Sequence, residues 1–179
     1  MHARPIATTV LALTASLSAA QASDSIFEVM KTIEGTWEGA LTYRDFSSNE
    51  RVSIPHERTI HVGPNGQYAL HENAYTDPGY QVFGAQMMQI TKNAIIIGGT
   101  TGNSIEVERF SIEDASQGDD GWRAEAIGEG TDNGKPATIR LNLLIAENAL
   151  IIEREVKAET DDDFLFRNEI RLERKGAAQ

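Results

Sequence analysis

The chain has 179 residues, no cysteine and a formal net charge of −11. The acidic balance disfavours nucleic acid and anionic membrane surfaces as partners, and the lack of cysteine excludes disulfides. The length suits one domain with a substantial core.

Residues 1–22 read as a secretory signal. His2 and Arg4 make a weak basic start, and the apolar, small-residue stretch Ile6–Ala20 is too short to span a bilayer and stay there. Ala20-Gln21-Ala22 is a small-x-small cleavage site, which places the mature start at Ser23; cleavage after Ala20 is the alternative. The expectation is a single domain over 23–179, exported to the periplasm or the medium. No later stretch is apolar enough for stable membrane insertion, and no cysteine follows the signal to carry a lipid anchor.

Asp24–Ile33 reads as a helix capped by Ser23 or Asp24, with Ile26, Phe27, Met30 and Ile33 at helical spacing on one face. From Thr36 the period changes to two. Trp37, Gly39, Leu41 and Tyr43 share one face of a first strand. In the second, Val52, Ile54, His56, Arg58, Ile60 and Val62 point one way, with Pro55 marking an edge or a bulge. Gly63-Pro64-Asn65-Gly66 makes a turn. After it Tyr68, Leu70, Glu72 and Ala74 read as the inward phase of strand three, and His71 as out of phase.

Tyr80–Thr91 and Ile105–Ile112 are strands of ambiguous phase, and Gly98-Gly99 ends or bends the strand begun at Ala94–Ile97. Ala115–Gly121 and Gly128–Pro136 read as loops, with Trp122, Ala124 and Ala126 between them. Ala137, Ile139, Leu141, Leu143 and Ile145 alternate cleanly. So do Leu150, Ile152, Arg154 and Val156, and then Phe164, Phe166, Asn168, Ile170, Leu172 and Arg174. About ten short strands at hairpin spacing, with one short N-terminal helix closing an end, predict an all-β, up-and-down antiparallel barrel. A β-sandwich is the alternative, and the chain lacks the long crossover that would favour it.

A short helix, then Gly35-Thr36-Trp37, then a strand meander resembles the calycins, the lipocalin and fatty-acid-binding barrels. The longer Gly-x-Trp-x-Gly through Gly39 is also similar to the start of nitrobindin-like haem barrels and to lipocalin-like exported bacterial domains of unassigned function. The resemblance implies that Trp37 sits at the closed end under a basic side chain from a late strand. Arg174 has the phase for that role, whereas Arg171 alternates outward. It also implies a cup for a small apolar or amphipathic ligand.

Polar residues in apolar phase are the candidates for chemistry: His56, Arg58, Glu72, Arg154 and Asn168. An isolated ion in a barrel interior costs several kcal/mol, on the order of the residual desolvation penalty, so these groups pair, hold water or meet a ligand. On the functional reading, Arg58 and Arg154 grip an anionic head beside His56 or Asn168, with the tail against Leu143, Ile152 and Phe166. The structural reading pairs Arg58 with Glu72 and leaves Arg154 at the rim. The sequence assigns no metal site and no cofactor; haem would depend on His56, the one inward histidine. Signatures of nucleophilic, phosphate-loop and zinc-protease enzymes are missing. The leading expectation is an exported barrel that binds a small amphipathic ligand. The alternatives are an envelope protein-interaction module, favoured by an exposed patch at Tyr75, Tyr80 and Phe83, or a barrel enzyme acting on a lipid-like substrate through a Glu72–His56 acid–base pair. The sequence leaves the oligomeric state open.

Overall fold

The computed structural model describes residues 26–77, 79–101 and 104–176. The signal segment 1–22 and the capping positions Ser23 and Asp24 lie outside them. Ten strands follow one helix, α1 (residues 26–32): β1 (Gly35–Arg44), β2 (Arg51–Val62), β3 (Tyr68–Asp77), β4 (Tyr80–Ile90), β5 (Ala94–Thr101), β6 (Ser104–Gly118), β7 (Gly121–Asp132), β8 (Lys135–Ile145), β9 (Ala149–Ala158) and β10 (Leu165–Arg174). Each pairs antiparallel with its neighbours in sequence, and β10 returns to β1, so the sheet closes into a barrel. The up-and-down order follows from turns too short for a crossover. At Asn133-Gly134 both residues have positive φ (49° and 73°), which matches the twist of a two-residue hairpin between Asp132 and Lys135.

The barrel is filled at one end. Ile26, Met30 and Ile33 carry α1 into it, over Trp37, Ile60, Ala69, Met88, Ile90, Ile95, Phe110, Ile145, Leu150 and Leu172, all of them buried. The Trp37 indole N–H donates to the Ile33 carbonyl at 2.8 Å, and the Arg174 guanidinium lies 4.4 Å from the Trp37 ring centroid. Arg174 also donates to the carbonyls of Thr32 and Glu34, where α1 ends and its carbonyls lack helical partners, and to that of Glu147 in the β8–β9 turn. Gly35 is required here: its φ is +123°, and an added Cβ would stand 3.1 Å from Arg174 Nη1.

Several sequence expectations change. The β1–β2 ladder runs unbroken from Gly35–Ile60 to Arg44–Arg51, so Pro55 makes no bulge. It sits one residue beyond the β2–β3 ladder, which begins at His56–Tyr75; β2 is locally an edge there, where a missing donor is tolerated. Strand three has the opposite phase to that expected: Ala69, His71 and Asn73 are buried, and Tyr68, Leu70 and Glu72 are exposed. β5 runs through Gly98-Gly99 to Thr101, β6 continues to Gly118 past a bulge at Glu113, and β7 continues to Asp132, so the loops expected over 115–118 and 128–132 are strand. A second bulge, at Arg167, reverses the phase of β10 toward its start. Phe166 therefore points outward under the Arg51 guanidinium (3.9 Å), and Phe164 lies under Arg140 (4.2 Å), both off the inward face expected for them.

Candidate functional site

Away from α1 the inward positions turn polar. On β2 and β3, residues directly opposite share a face, so the inward His56 and Arg58 bring Tyr75 and Asn73 in beside them. His71, two residues along β3, completes the group. His56, Arg58 and His71 are at most 1% exposed and Asn73 is 7% exposed. Arg58 Nε donates to Asn73 Oδ1 at 2.7 Å, Arg58 Nη1 lies 3.3 Å from His71 Nδ1, and His56 Nε2 lies 3.1 Å from the same Asn73 oxygen. The His56 ring stacks on Tyr75, centroids 4.4 Å apart.

The donor inventory fixes the protonation of this network. A guanidinium only donates, so His71 Nδ1 accepts and its proton sits on Nε2. Asn73 Oδ1 only accepts, so His56 carries its proton on Nε2 and Nδ1 is bare. Both remaining ring nitrogens, His56 Nδ1 and His71 Nε2, are buried without a protein partner. Burial first and the Arg58 charge second hold both histidines neutral, His56 down to about 4 and His71 well below its ordinary value. Burial also lowers Arg58, to about 10, with Tyr75 opposing the shift. Arg58 thus stays cationic at neutral pH. Among the described residues no carboxylate pairs with it.

A cleft of about 460 Å³ opens over this network. It forms because the β4–β5 ladder stops at Gln86–Gly99, while β4 runs on to Tyr80 beside β3 alone. Asn73 and Tyr75 form its floor; Val82, Ile97, Gln86 and Glu106 stand on its sides. Because Arg58 engages the Asn73 oxygen, the Asn73 amide N–H donors turn away from Arg58. Glu108 closes one wall, held by a bidentate pair with Arg154 at 2.6 and 2.8 Å. At the same barrel end a second hollow, of about 280 Å³, lies among the β1–β2, β7–β8 and β9–β10 turns. There Arg167 stacks on Phe46 (3.6 Å) and donates to Asp132 (2.9 Å). Its cation is already paired, and among the described residues none of its hydrogen bonds reaches the buried network.

The candidate residues from the sequence therefore separate. His56 and Arg58 sit together. Arg154 faces Asn168 across the β9–β10 ladder but is engaged by Glu108. Glu72 is corrected: it lies on the outer wall, its side chain 62% exposed and 3.7 Å from His61, so it pairs with neither Arg58 nor His56. With it goes the Glu72–His56 acid–base pair. His71, set aside by the sequence, is a full member of the network. Asn73, Tyr75 and Glu108 were missed. The β2–β3 turn could have found the first two: it pairs Val62 with Ala69, so an inward Val62 requires inward Ala69, His71, Asn73 and Tyr75. Of the apolar patch proposed at Tyr75, Tyr80 and Phe83, Tyr75 is inward, the Tyr80 side chain lies outside the described residues, and Phe83 is 72% exposed. Of the ring nitrogens on which a haem would depend, His56 Nε2 is engaged by Asn73, and His56 Nδ1 and His71 Nε2 are both enclosed.

No protein-family model and no curated protein matches the chain. Among solved structures it is similar to Rv2717c from M. tuberculosis, with 8% sequence identity and a TM-score of 0.56 over 84% of this chain and 98% of that one. A protein with unknown function of the DUF3598 family from Nostoc punctiforme PCC 73102 aligns at 6% identity over 84% of this chain and 99% of its own, but its TM-score of 0.24 carries no weight. At such identity the likeness to Rv2717c shows the fold alone: this chain is a closed antiparallel barrel of ten strands.

Proposed function

We propose that this is an exported, calycin-like barrel that binds a small amphipathic molecule in the cleft between β4 and β5. The ligand's anionic or hydrogen-bond-accepting head lies on Asn73 and Tyr75, above the Arg58 charge. The observation that carries this reading is Arg58: a buried, cationic guanidinium whose partners among the described residues are all neutral. Such a charge is costly unless something compensates it. The cleft above has Val82 and Ile97 on its sides together with the polar Gln86 and Glu106, and a donor-bearing floor, a mixture of apolar wall and a few polar groups as in a small-molecule site. Arg154, neutralised by Glu108, holds that wall residue in place and does not grip the ligand. The calycin kinship is supported by Gly35-x-Trp37 under Arg174, and export by the leader-like residues 1–22.

Binding of dodecanoate and of its neutral counterpart dodecanol, followed by calorimetry, tests the reading. Wild-type protein should prefer the carboxylate. Arg58→Met should weaken dodecanoate about tenfold or more, the loss of a charge-assisted interaction, and should leave dodecanol little changed. Arg154→Met should act less. Absence of binding to either probe, or an Arg58→Met variant with unchanged head-group preference, rejects it.

A further inference from the structure

The outer wall of β3–β6 differs from the rest of the barrel surface. Leu70, Met87, Gly98 and Val107 form one row straight across its four strands, each opposite the next in the ladders. Ile105 is the next outward residue to Val107 on β6, and Phe83 stands two outward positions from Met87 on β4, beyond Ala85. Ile105 is 79% exposed, Phe83 72% and Val107 67%, exposed apolar side chains on one wall of the kind that mark an interaction site. The outward positions of β8–β10 are instead charged, with Arg140, Glu153, Glu155, Glu169, Arg171 and Glu173 among them. On the apolar wall two charges flank the central row. Glu72 stands on β3, one pair nearer the cleft end, and Arg109 stands on β6, one pair nearer α1.

We propose that this wall is the interface of a homodimer. A chain of net charge −11 repels its own copy, so two copies can meet only on a face that is neutral as a whole. Glu72 and Arg109 cancel, and their placement selects the symmetry. They lie on opposite sides of the midpoint between Met87 and Gly98. A two-fold axis through that midpoint, in the plane of contact and perpendicular to the line joining them, sets Glu72 of each copy over Arg109 of the other. Three strand spacings and four residue rises are each roughly 14 Å, so this axis lies near 45° to the strands and the two sheets cross near a right angle, an established packing mode. Gly98, without a side chain, leaves a dip beside the axis for Met87 of the other copy. The apolar residues named on this wall are far fewer than the roughly 20–30 residues a side of a standard interface, so the dimer dissociates readily.

Sedimentation equilibrium of the purified protein, up to about 1 mM, measures the association constant. Wild-type protein should associate reversibly, and Val107→Glu should abolish association while far-ultraviolet circular dichroism stays unchanged. Glu72→Arg and Arg109→Glu should each weaken association about tenfold or more through like charges facing twice across the axis. The two substitutions together should restore it, because the exchanged charges again face each other. A protein that stays monomeric throughout, a dimer indifferent to Val107→Glu or to the single charge variants, or a double variant as weak as the singles overturns the proposal. Val107 does not line the cleft, so dodecanoate binding by the Val107→Glu protein is read separately from this result.

Discussion

Arg154 on β9 reaches across the lumen to Glu108 on β6, past the two intervening strands β7 and β8, and holds both carboxylate oxygens. The reach depends on what β7 leaves out. At Gly130 a Cβ would stand 2.5 Å from Ile139 Cδ1 and 3.5 Å from Glu108 Oε1. The missing side chain gives Ile139 and Glu108 their room.

Glu108→Gln should destabilise the barrel by about 1.5–3 kcal/mol, the range for hydrogen bonds to charged groups, and Arg154→Met by a similar amount. Urea unfolding followed by Trp fluorescence reads both. The double variant should fall well short of the sum, because each single change already breaks the pair. Strict additivity would show that the two side chains act independently.

Stability should fall on acidification through the two buried histidines. Each is neutral in the folded barrel and titrates normally once unfolded. The unfolded chain therefore binds more protons as pH drops below 6.5, and the folded state loses ground until His56 itself protonates at about 4. The lowering of His56 from its ordinary 6.5 to about 4 corresponds to roughly 3 kcal/mol, fully present above pH 6.5 and lost toward pH 4. Urea midpoints measured from pH 8 to pH 4 should show the decline, and His56→Gln should flatten it. An unchanged slope in that variant would remove His56 from the account.

Replacing Arg174 tests the closed end. Arg174→Lys keeps a cation over Trp37 but cannot fork to the carbonyls of Thr32, Glu34 and Glu147. A loss of about 1 kcal/mol or more is expected, from the hydrogen bonds given up at this half-exposed position. Arg174→Met should cost more. Hydrogen exchange should show the loss concentrated in α1 and β1.

Arg58→Met should behave differently. Breaking a buried ion pair costs about 3–5 kcal/mol because a charge is stranded. Here the charge is already without a counter-charge, so its removal should leave the unfolding free energy within about 1 kcal/mol of wild type while dodecanoate affinity drops. A large destabilisation would instead assign Arg58 a structural part.

Most of the barrel was legible because one wall of β8 and β9 is unambiguously apolar and the turns carry their own residues. The inversion of β3 has a physical origin. Its outward positions, Tyr68 and Leu70, are apolar because they belong to an apolar outer wall, whereas its inward positions, His71 and Asn73, are polar because they belong to the network. A rule that sends apolar phases inward reverses both at once. Arg58 and His56 were legible because Ile54 and Ile60 flank them in a strict alternation. Phe166 was not, because the Arg167 bulge depends on how β10 meets β9 and leaves no local mark. Glu108 was not, because Ile105 and Val107 outweigh it in hydrophobicity while facing out.

The short β2–β3 ladder has a consequence for solubility. Closure of a barrel ordinarily leaves no strand edge on which another chain can grow. Here the first five residues of β2, Arg51–Pro55, have backbone partners on β1 alone among the described residues. That stretch is a short open template, and it is guarded at both ends: Arg51 supplies a charge and Pro55 withholds a donor. Replacing Pro55 with Val would complete a five-residue β-prone edge and should convert slow, clean storage at high concentration into fibrillar growth.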